Sequence, residues 1–103
     1  MNTPWFVYII ESDDKKLYTG ITTDVVRRWS EHMGKSQGKY KGAKFFRGRK
    51  PSQLLFLVKL DNRPDASRYE FQTKQLTRKE KFNLIDSDKN QVKELTITLP
   101  EAS

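Results

Sequence analysis

The chain has 103 residues, of which 20 are Lys or Arg and 13 are Asp or Glu, so its net charge is +7. A chain of this length forms one domain with a small core. The absence of cysteine excludes disulfides and thiolate metal sites. No apolar run approaches the roughly 20 residues of a membrane span, and no basic region precedes an apolar stretch at the N-terminus. We therefore expect no membrane segment, no signal peptide and a cytoplasmic location.

The excess positive charge lies in one segment, residues 35–50. This segment contains seven basic residues and no acidic one, and the remaining 13 basic residues balance the 13 acidic ones. Tyr40, Phe45 and Phe46 are interleaved with the cations. Phosphate-binding cations beside flat aromatic surfaces are typical of nucleic-acid binding. The alternative interpretation is a solvated loop that only keeps the protein soluble. The basic residues are Lys35, Lys39, Lys41, Lys44, Arg47, Arg49 and Lys50.

The first quarter of the chain predicts a β-hairpin. Residues 5–11 are rich in aromatic and branched side chains on both faces, which is typical of a strand covered on two sides. Residues 12–15 predict a turn and residues 16–21 a second strand. Because Tyr8 and Tyr18 are nearly symmetric about this turn, we expect them to lie within about one residue of facing each other.

A helix is predicted next, capped by Thr23 or Asp24 and ending near Met33. Val25, Trp29 and Met33 form its apolar stripe. Arg28 and His32 are four residues apart, so they stack one above the other at the edge of that stripe.

The second half predicts a short helix over residues 43–47, a buried strand over 53–60, and a helix from Asp65 to Leu76 with Glu70 at the border of its apolar face. Thr77 and Glu80 predict a capping box that starts a last helix ending near Ile85. The expected fold is α/β (α+β): a small, mainly antiparallel three-stranded sheet flanked by helices. Residues 1–86 form the predicted domain. Residues 87–103 form a C-terminal tail. Its alternating Leu95, Ile97 and Leu99 are typical of a strand, but the sequence does not decide whether the tail joins the sheet.

The spacing of two tyrosines, an arginine and a histidine resembles the GIY-YIG endonuclease family. The first motif is Val7-Tyr8-Ile9 and the second is Tyr18-Thr19-Gly20; Arg28 follows Gly20 by eight residues and His32 follows four later. The resemblance covers residues 5–85 and is greatest to the small stand-alone bacterial branch, in which this module is the whole protein. Val7 and Thr19 depart from the usual letters at positions where no chemistry is expected.

The resemblance implies a role for each of these residues and for Glu70. Glu70 would hold Mg²⁺ (or Mn²⁺) in a one-metal site, since Mg²⁺ keeps much of its water shell. Arg28 would bind the scissile phosphate, and Tyr8 or Tyr18 would activate water, with Arg28 and the metal favouring the phenolate. His32 would bond to a tyrosine or contact phosphate. Gly20 would leave room at the strand end for DNA backbone and for active-site groups. Residues expected to bind substrate are Gly20, Arg27, Lys35, Lys39, Lys41, Lys44 and Arg47. A further lysine or amide contributes in some family members, and its candidates here are Lys74, Asn83 and Lys35.

The function implied is that of a metal-dependent DNA endonuclease that leaves a 5′-phosphate and a 3′-hydroxyl. Its substrate would be branched, nicked or duplex DNA selected by structure, in DNA repair or recombination, and no protein partner is predictable. Two other hypotheses remain: a non-catalytic nucleic-acid-binding module with the same fold, and an adaptor whose basic segment binds an acidic protein. Taken singly, each candidate also has a simpler explanation: cross-strand packing for the tyrosines, a solvated helix face for Arg28, a structural hydrogen bond for His32 and a surface ion pair for Glu70.

Overall fold

The computed structural model of the protein describes residues 3–34, 44–95 and 97–100. The order of elements is β1 (Trp5–Ser12), β2 (Leu17–Thr22), α1 (Val25–His32), a 3-10 turn (Lys44–Phe46), β3 (Pro51–Leu60), α2 (Arg63–Lys74) and α3 (Arg78–Ile85). The strands form one antiparallel sheet in the order β2-β1-β3, which confirms the predicted α+β fold. Within the described residues, no helix is long and apolar enough to cross a membrane.

The hairpin register differs from the prediction. Tyr8 lies opposite Gly20 and Tyr18 lies opposite Ile10, so the tyrosines share a face but are offset by two residues. The reason is that the loop is centred on Asp14, half a residue later than the centre of the predicted turn over 12–15, which shifts the register by one residue. The main-chain N–H of Ser12 donates to the carbonyl of Lys16 at 2.8 Å, and Lys15 adopts a left-handed conformation with φ of 67°. The expectation that the tyrosines nearly face each other was therefore wrong.

The central strand β1 is buried on both faces, as its apolar sequence predicted. On one face, Tyr8 and Ile10 pack with Leu57 and with Val25 and Trp29 of α1. On the other face, Val7, Ile9 and Phe56 are completely buried, and Phe56 stacks on Tyr69 of α2 with ring centroids 6.2 Å apart. The sheet therefore separates two layers, one covered by α1 and the other by α2.

Side-chain caps fix where the helices begin. Asp24 accepts a hydrogen bond from the main-chain N–H of Arg27, and Thr77 and Glu80 form the predicted capping box. The helix α2 begins at Arg63, two residues before the predicted start, because Asn62 is the cap and Pro64 occupies the first turn. The strand β3 likewise begins at Pro51, and the predicted short helix is a 3-10 turn, Lys44–Phe46.

The outer edge of β3 is covered by two amide residues of the tail. Asn90 accepts from the N–H of Leu57 at 3.1 Å and donates to the carbonyl of Leu55 at 2.8 Å. The main-chain N–H of Gln91 donates to the Leu57 carbonyl at 2.7 Å, and its side chain accepts from the N–H of Lys59 at 2.9 Å. The described tail residues add no strand to the sheet. Instead, Leu95, Ile97 and Leu99 pack against the core.

Candidate active site

A hydrogen bond between two buried side chains is the centre of the site. The hydroxyl of Tyr8, on β1, lies 2.7 Å from Nε2 of His32, the last residue of α1, and both residues are only 2% exposed. The ring of Tyr18 lies 5.3 Å from the imidazole and 6.1 Å from the ring of Tyr8. The prediction that His32 lies at the edge of the apolar stripe of α1 is therefore wrong, because its side chain is buried inside that stripe. The positions of Val25, Trp29 and His32 follow one helical face turned to the sheet.

Arg28 lies one turn before His32 and is close enough to the Tyr8 hydroxyl to lower its pKa by charge and by hydrogen bonding. Its guanidinium also donates to Glu31 at 2.8 Å, and its side chain is 24% exposed. Burial would lower the pKa of Arg28, but Glu31 and Tyr8 outweigh burial and the pKa is raised. Glu31 thus orients the arginine, a role that the sequence analysis missed although three-residue spacing on a helix predicts such a pair.

Both members of the tyrosine–histidine pair are neutral at physiological pH. Burial, followed by the charge of Tyr18, raises the pKa of Tyr8 well above its ordinary value, and Arg28 does not reverse this shift. Burial, followed by the charge of Arg28, lowers the pKa of His32 to about 3. The expectation that Arg28 favours the phenolate of Tyr8 is right in sign, but burial is the larger effect.

These contacts determine where the shared proton lies. A guanidinium only donates hydrogen bonds, and within the described residues Nε2 of His32 is the one acceptor in contact with the Tyr8 hydroxyl. Since the hydroxyl proton needs an acceptor, we assign the hydroxyl as the donor to Nε2, which places the imidazole proton on Nδ1. That Nδ1 is buried and has no hydrogen-bond partner among the described residues.

Gly20 makes room for the tyrosine hydroxyl. A Cβ atom on Gly20 would lie 2.5 Å from the hydroxyl oxygen of Tyr8 and 2.9 Å from the ring of Tyr18. Both distances are shorter than any ordinary contact, so a side chain here would push Tyr8 away from His32. The second motif thus needs a glycine at this position because the active-site tyrosines approach its backbone closely.

An aromatic wall closes the other side of the imidazole. The ring of Phe46 lies 4.3 Å from that of His32 and 5.2 Å from that of Tyr18, and Phe46 is only 4% exposed. Arg49 lies over the ring of Phe45 at 4.7 Å and pairs with Asp14 at 2.9 Å. The interpretation of Phe46 as a surface for stacking bases was therefore wrong, because it is packed inside the site. Tyr40 lies outside the described residues.

Glu70 reaches the site through its charge. Its carboxylate contributes to the raised pKa of Tyr8, and its side chain, 22% exposed, pairs with Lys74 at 3.4 Å. No cluster of three or more His, Cys, Asp or Glu side chains able to hold a metal occurs in the described parts of the chain. Any cation held by the described residues would thus have fewer than three such side chains as ligands. Of the other candidates for a lysine or amide, Lys74 is this ion-pair partner and Asn83 is exposed on α3.

The residues predicted to bind substrate are only partly described. Arg27 is exposed on α1, and Lys44 and Arg47 are exposed at the 3-10 turn beside Phe46. Lys35, Lys39 and Lys41 lie outside the described residues. Lys44 and Arg47 therefore flank the aromatic wall along the chain, whereas Arg27 belongs to α1.

Comparison with known proteins identifies the class to which this fold and site belong. Residues 4–83 match the family model of the GIY-YIG catalytic domain, so the chain belongs to the GIY-YIG family, a nuclease-type family with nucleic-acid substrates. Among members of this family, the chain is 47% identical over 83 residues to UPF0213 protein YhbQ of Escherichia coli O127:H6. The aligned region covers 81% of this chain and 78% of the relative. The YhbQ protein of strain K12 is 46% identical over the same length and coverage. The solution NMR structure of UPF0213 protein BH0048 from Bacillus halodurans is similar with a TM-score of 0.52 and 37% identity, over 84% of this chain and 86% of that one. The predicted relationship to the stand-alone branch is confirmed.

Proposed function

We propose that this protein is a metal-dependent endonuclease that hydrolyses phosphodiester bonds in DNA, selecting its site by DNA structure rather than base sequence. The observation that carries the proposal is the buried 2.7 Å hydrogen bond between Tyr8 and His32 beside Arg28. Burying two titratable groups away from water is costly unless they bond to each other. Their arrangement next to a guanidinium that can fork onto a phosphate is suited to proton transfer.

The pair works as a relay from the attacking water. As the water attacks phosphorus, its proton passes to the Tyr8 oxygen while the Tyr8 proton passes to Nε2 of His32. The imidazole holds the transferred proton until the leaving oxygen or solvent takes it. Because the two transfers are coupled, neither a free phenolate nor a free imidazolium is needed beforehand.

Arg28 links this relay to the substrate. Its positive charge is one cause of the low pKa of His32. A DNA phosphate bound to the guanidinium offsets that charge, so substrate binding makes His32 a better base. The same contact stabilises the negative charge that develops on the phosphoryl oxygens. Burial, the larger cause of the low pKa of His32, is not removed by phosphate, so substrate binding offsets only the contribution of Arg28.

Glu70 fits a Mg²⁺ (or Mn²⁺) site of the simplest kind. Its carboxylate is partly exposed and pairs with the flexible, half-exposed Lys74, which a cation can displace. One carboxylate completed by water and substrate phosphate is a normal Mg²⁺ site. When bound, the ion supplies Lewis acidity and stabilises charge on the leaving oxygen.

Tyr18 is the second candidate for the water activator. Its ring packs on His32 and Phe46, yet its side chain is half-buried rather than fully buried. It is thus more open to solvent than Tyr8. We assign the proton relay to Tyr8 because it holds the hydrogen bond to His32, and we assign Tyr18 to positioning the water.

A non-catalytic nucleic-acid-binding module is the alternative function. The resting pKa values favour it, because neither Tyr8 nor His32 is a base at neutral pH in the free protein. Glu70 argues against it, because a carboxylate beside DNA phosphates repels them unless a cation lies between.

The deciding experiment is cleavage of labelled duplex, nicked, flapped and branched DNAs with Mg²⁺ or Mn²⁺. Wild type should cut at least one structured DNA and leave 5′-phosphate ends. Glu70→Gln should reduce the single-turnover rate on the order of a hundredfold while keeping or improving binding. Glu94→Gln, a matched loss of an exposed tail carboxylate, should leave both unchanged. Equal cleavage by Glu70→Gln would remove Glu70 from the site, and tight binding without cleavage of any DNA would support the binding module.

A further inference from the structure

The imidazole of His32 lacks the hydrogen bond that normally fixes a functional histidine. In most catalytic and metal-binding histidines, the second ring nitrogen bonds to a carboxylate or a carbonyl, and this bond sets the tautomer and ring orientation. Here Nδ1 is buried without such a partner among the described residues. Apart from the Tyr8 hydrogen bond itself, another contact must therefore keep the ring oriented with Nε2 toward Tyr8.

Ring packing is the contact that remains. Within the described parts of the chain, three aromatic rings surround the imidazole, and Phe46 is the nearest of them, with centroids 4.3 Å apart and planes inclined by 35°. Tyr18 meets the imidazole edge-on at 5.3 Å, and Tyr8 lies 5.8 Å away. At this tilt and distance Phe46 lies against the face of the imidazole, so it hinders rotation about the bond between Cβ and the ring.

Phe46 is itself held firmly. Its ring meets Phe45 at 5.0 Å and Tyr18 at 5.2 Å, and its side chain is buried in the core. Its backbone belongs to a single 3-10 turn, whose other end carries the exposed Lys44 and which is followed by the exposed Arg47. The turn therefore connects cations at the surface to the ring that packs on His32.

We infer that Phe46 is a positioning residue for the proposed reaction: its ring, in place of a hydrogen bond to Nδ1, holds the His32 imidazole with the proton on Nδ1 and Nε2 directed at the Tyr8 hydroxyl. The effect on cleavage rests on the proposed nuclease function. The effect on the imidazole does not, because it concerns the free protein.

The sole histidine of the chain makes this inference directly measurable. In protein labelled with ¹⁵N at the histidine ring, wild type should give one protonated-nitrogen signal for Nδ1 and one unprotonated-nitrogen signal for Nε2. Phe46→Leu should move the two signals toward each other, because a loosened ring samples both tautomers. Phe46→Tyr keeps the ring and should restore the wild-type pattern.

Phe56→Leu is the matched control. It removes the same aromatic ring from a fully buried position on the opposite face, where the ring stacks on Tyr69 instead of His32. It should lower stability comparably while leaving both histidine signals unchanged. If Phe46→Leu fails to fold, Phe46→Met provides a milder loss of the flat surface and should show the same convergence.

The rate measurement adds a second arm. On the best DNA substrate, Phe46→Leu should reduce the single-turnover rate about tenfold with unchanged DNA affinity, whereas Phe56→Leu should cleave normally. Histidine signals that are identical in wild type and in a folded Phe46→Leu or Phe46→Met protein would overturn the inference, as would averaged tautomers in wild type. If no DNA is cleaved by wild type, the proposed function fails while the nitrogen signals still decide the role of Phe46.

Discussion

Beneath α2, one face of the sheet buries Val7, Ile9 and Phe56 completely, and packing accounts for these side chains. The face beneath α1 buries Tyr8 and His32 just as deeply, yet these two are bonded to each other and lie beside the charge of Arg28. Apolar side chains gain stability from burial, whereas titratable groups lose hydration and shift their pKa values. The comparison shows that the same sheet provides a stable apolar scaffold on one side and a set of dehydrated titratable groups on the other.

The largest expected effect concerns Arg28. Arg28→Ala should lower cleavage on the order of a hundredfold or more, because it removes stabilisation of transition-state charge. The adjacent Arg27 is the matched control: it also pairs with Glu31, at 3.9 Å, but its side chain is 57% exposed. Single-turnover rates for both variants make the test. Equal losses would mean that the two arginines contribute only general positive charge.

The next largest effects should distinguish the two tyrosines from each other. Tyr8→Phe should reduce cleavage by roughly tens to a hundredfold and, by leaving Nε2 of His32 unbonded, should cost about 1–3 kcal/mol of stability. Tyr18→Phe should leave stability nearly unchanged and have the smaller effect on rate. Thermal melts beside single-turnover rates measure both quantities. The reverse order of rates would assign water activation to Tyr18.

Gly20 tests how tightly the reactive face is fitted. Gly20→Ala should cost about 1–3 kcal/mol and lower cleavage, since the new methyl group displaces the Tyr8 hydroxyl. Gly34→Ala has open space at its Cβ but a φ of 77°, so it should lose stability from backbone strain alone. Urea unfolding and cleavage should be measured for both. Normal cleavage by Gly20→Ala would show that the tyrosine has room to move.

The smallest effect is acid sensitivity. The folded pKa of His32, about 3, lies below its ordinary value of 6.5, so between these pH values the unfolded chain binds the extra proton. Stability should therefore fall as pH decreases from 6.5 toward 3, by at most about 1.4 kcal/mol per pH unit from this residue. Urea unfolding between pH 5 and 6.5 should show this slope in wild type and a reduced slope in His32→Gln. Matching slopes would mean that His32 is not buried as a neutral ring.

Local features of the fold were predictable from the sequence. The helix caps Asp24 and Thr77 depend on residues within one turn, and the α+β sheet follows from periodicity. The hairpin register was not predictable, because it depends on how Ser12, Lys15 and Lys16 close the loop. A register shift of one residue places the tyrosines two residues apart instead of the expected one.

Which residues meet at the site was predictable from the sequence, but how deeply each of them is buried was not. Spacing brought Tyr8, Tyr18, Arg28 and His32 together, whereas the depth of His32 depends on how α1 is rotated against the sheet. The position of Phe46 depends on a contact between segments far apart in sequence, and nothing local distinguishes a buried phenylalanine from an exposed one in a basic stretch. The catalytic roles of all these residues stay predictions.

The edge of β3 has a consequence for how copies of this protein behave toward each other. Four main-chain groups along that edge, which would otherwise offer a template to a strand of another molecule, are occupied by Asn90 and Gln91. The family match ends at residue 83, before both of them. A fragment cut at that boundary would retain every proposed catalytic residue and yet expose an unpaired edge, so we expect it to self-associate at high concentration while the longer chain stays dispersed.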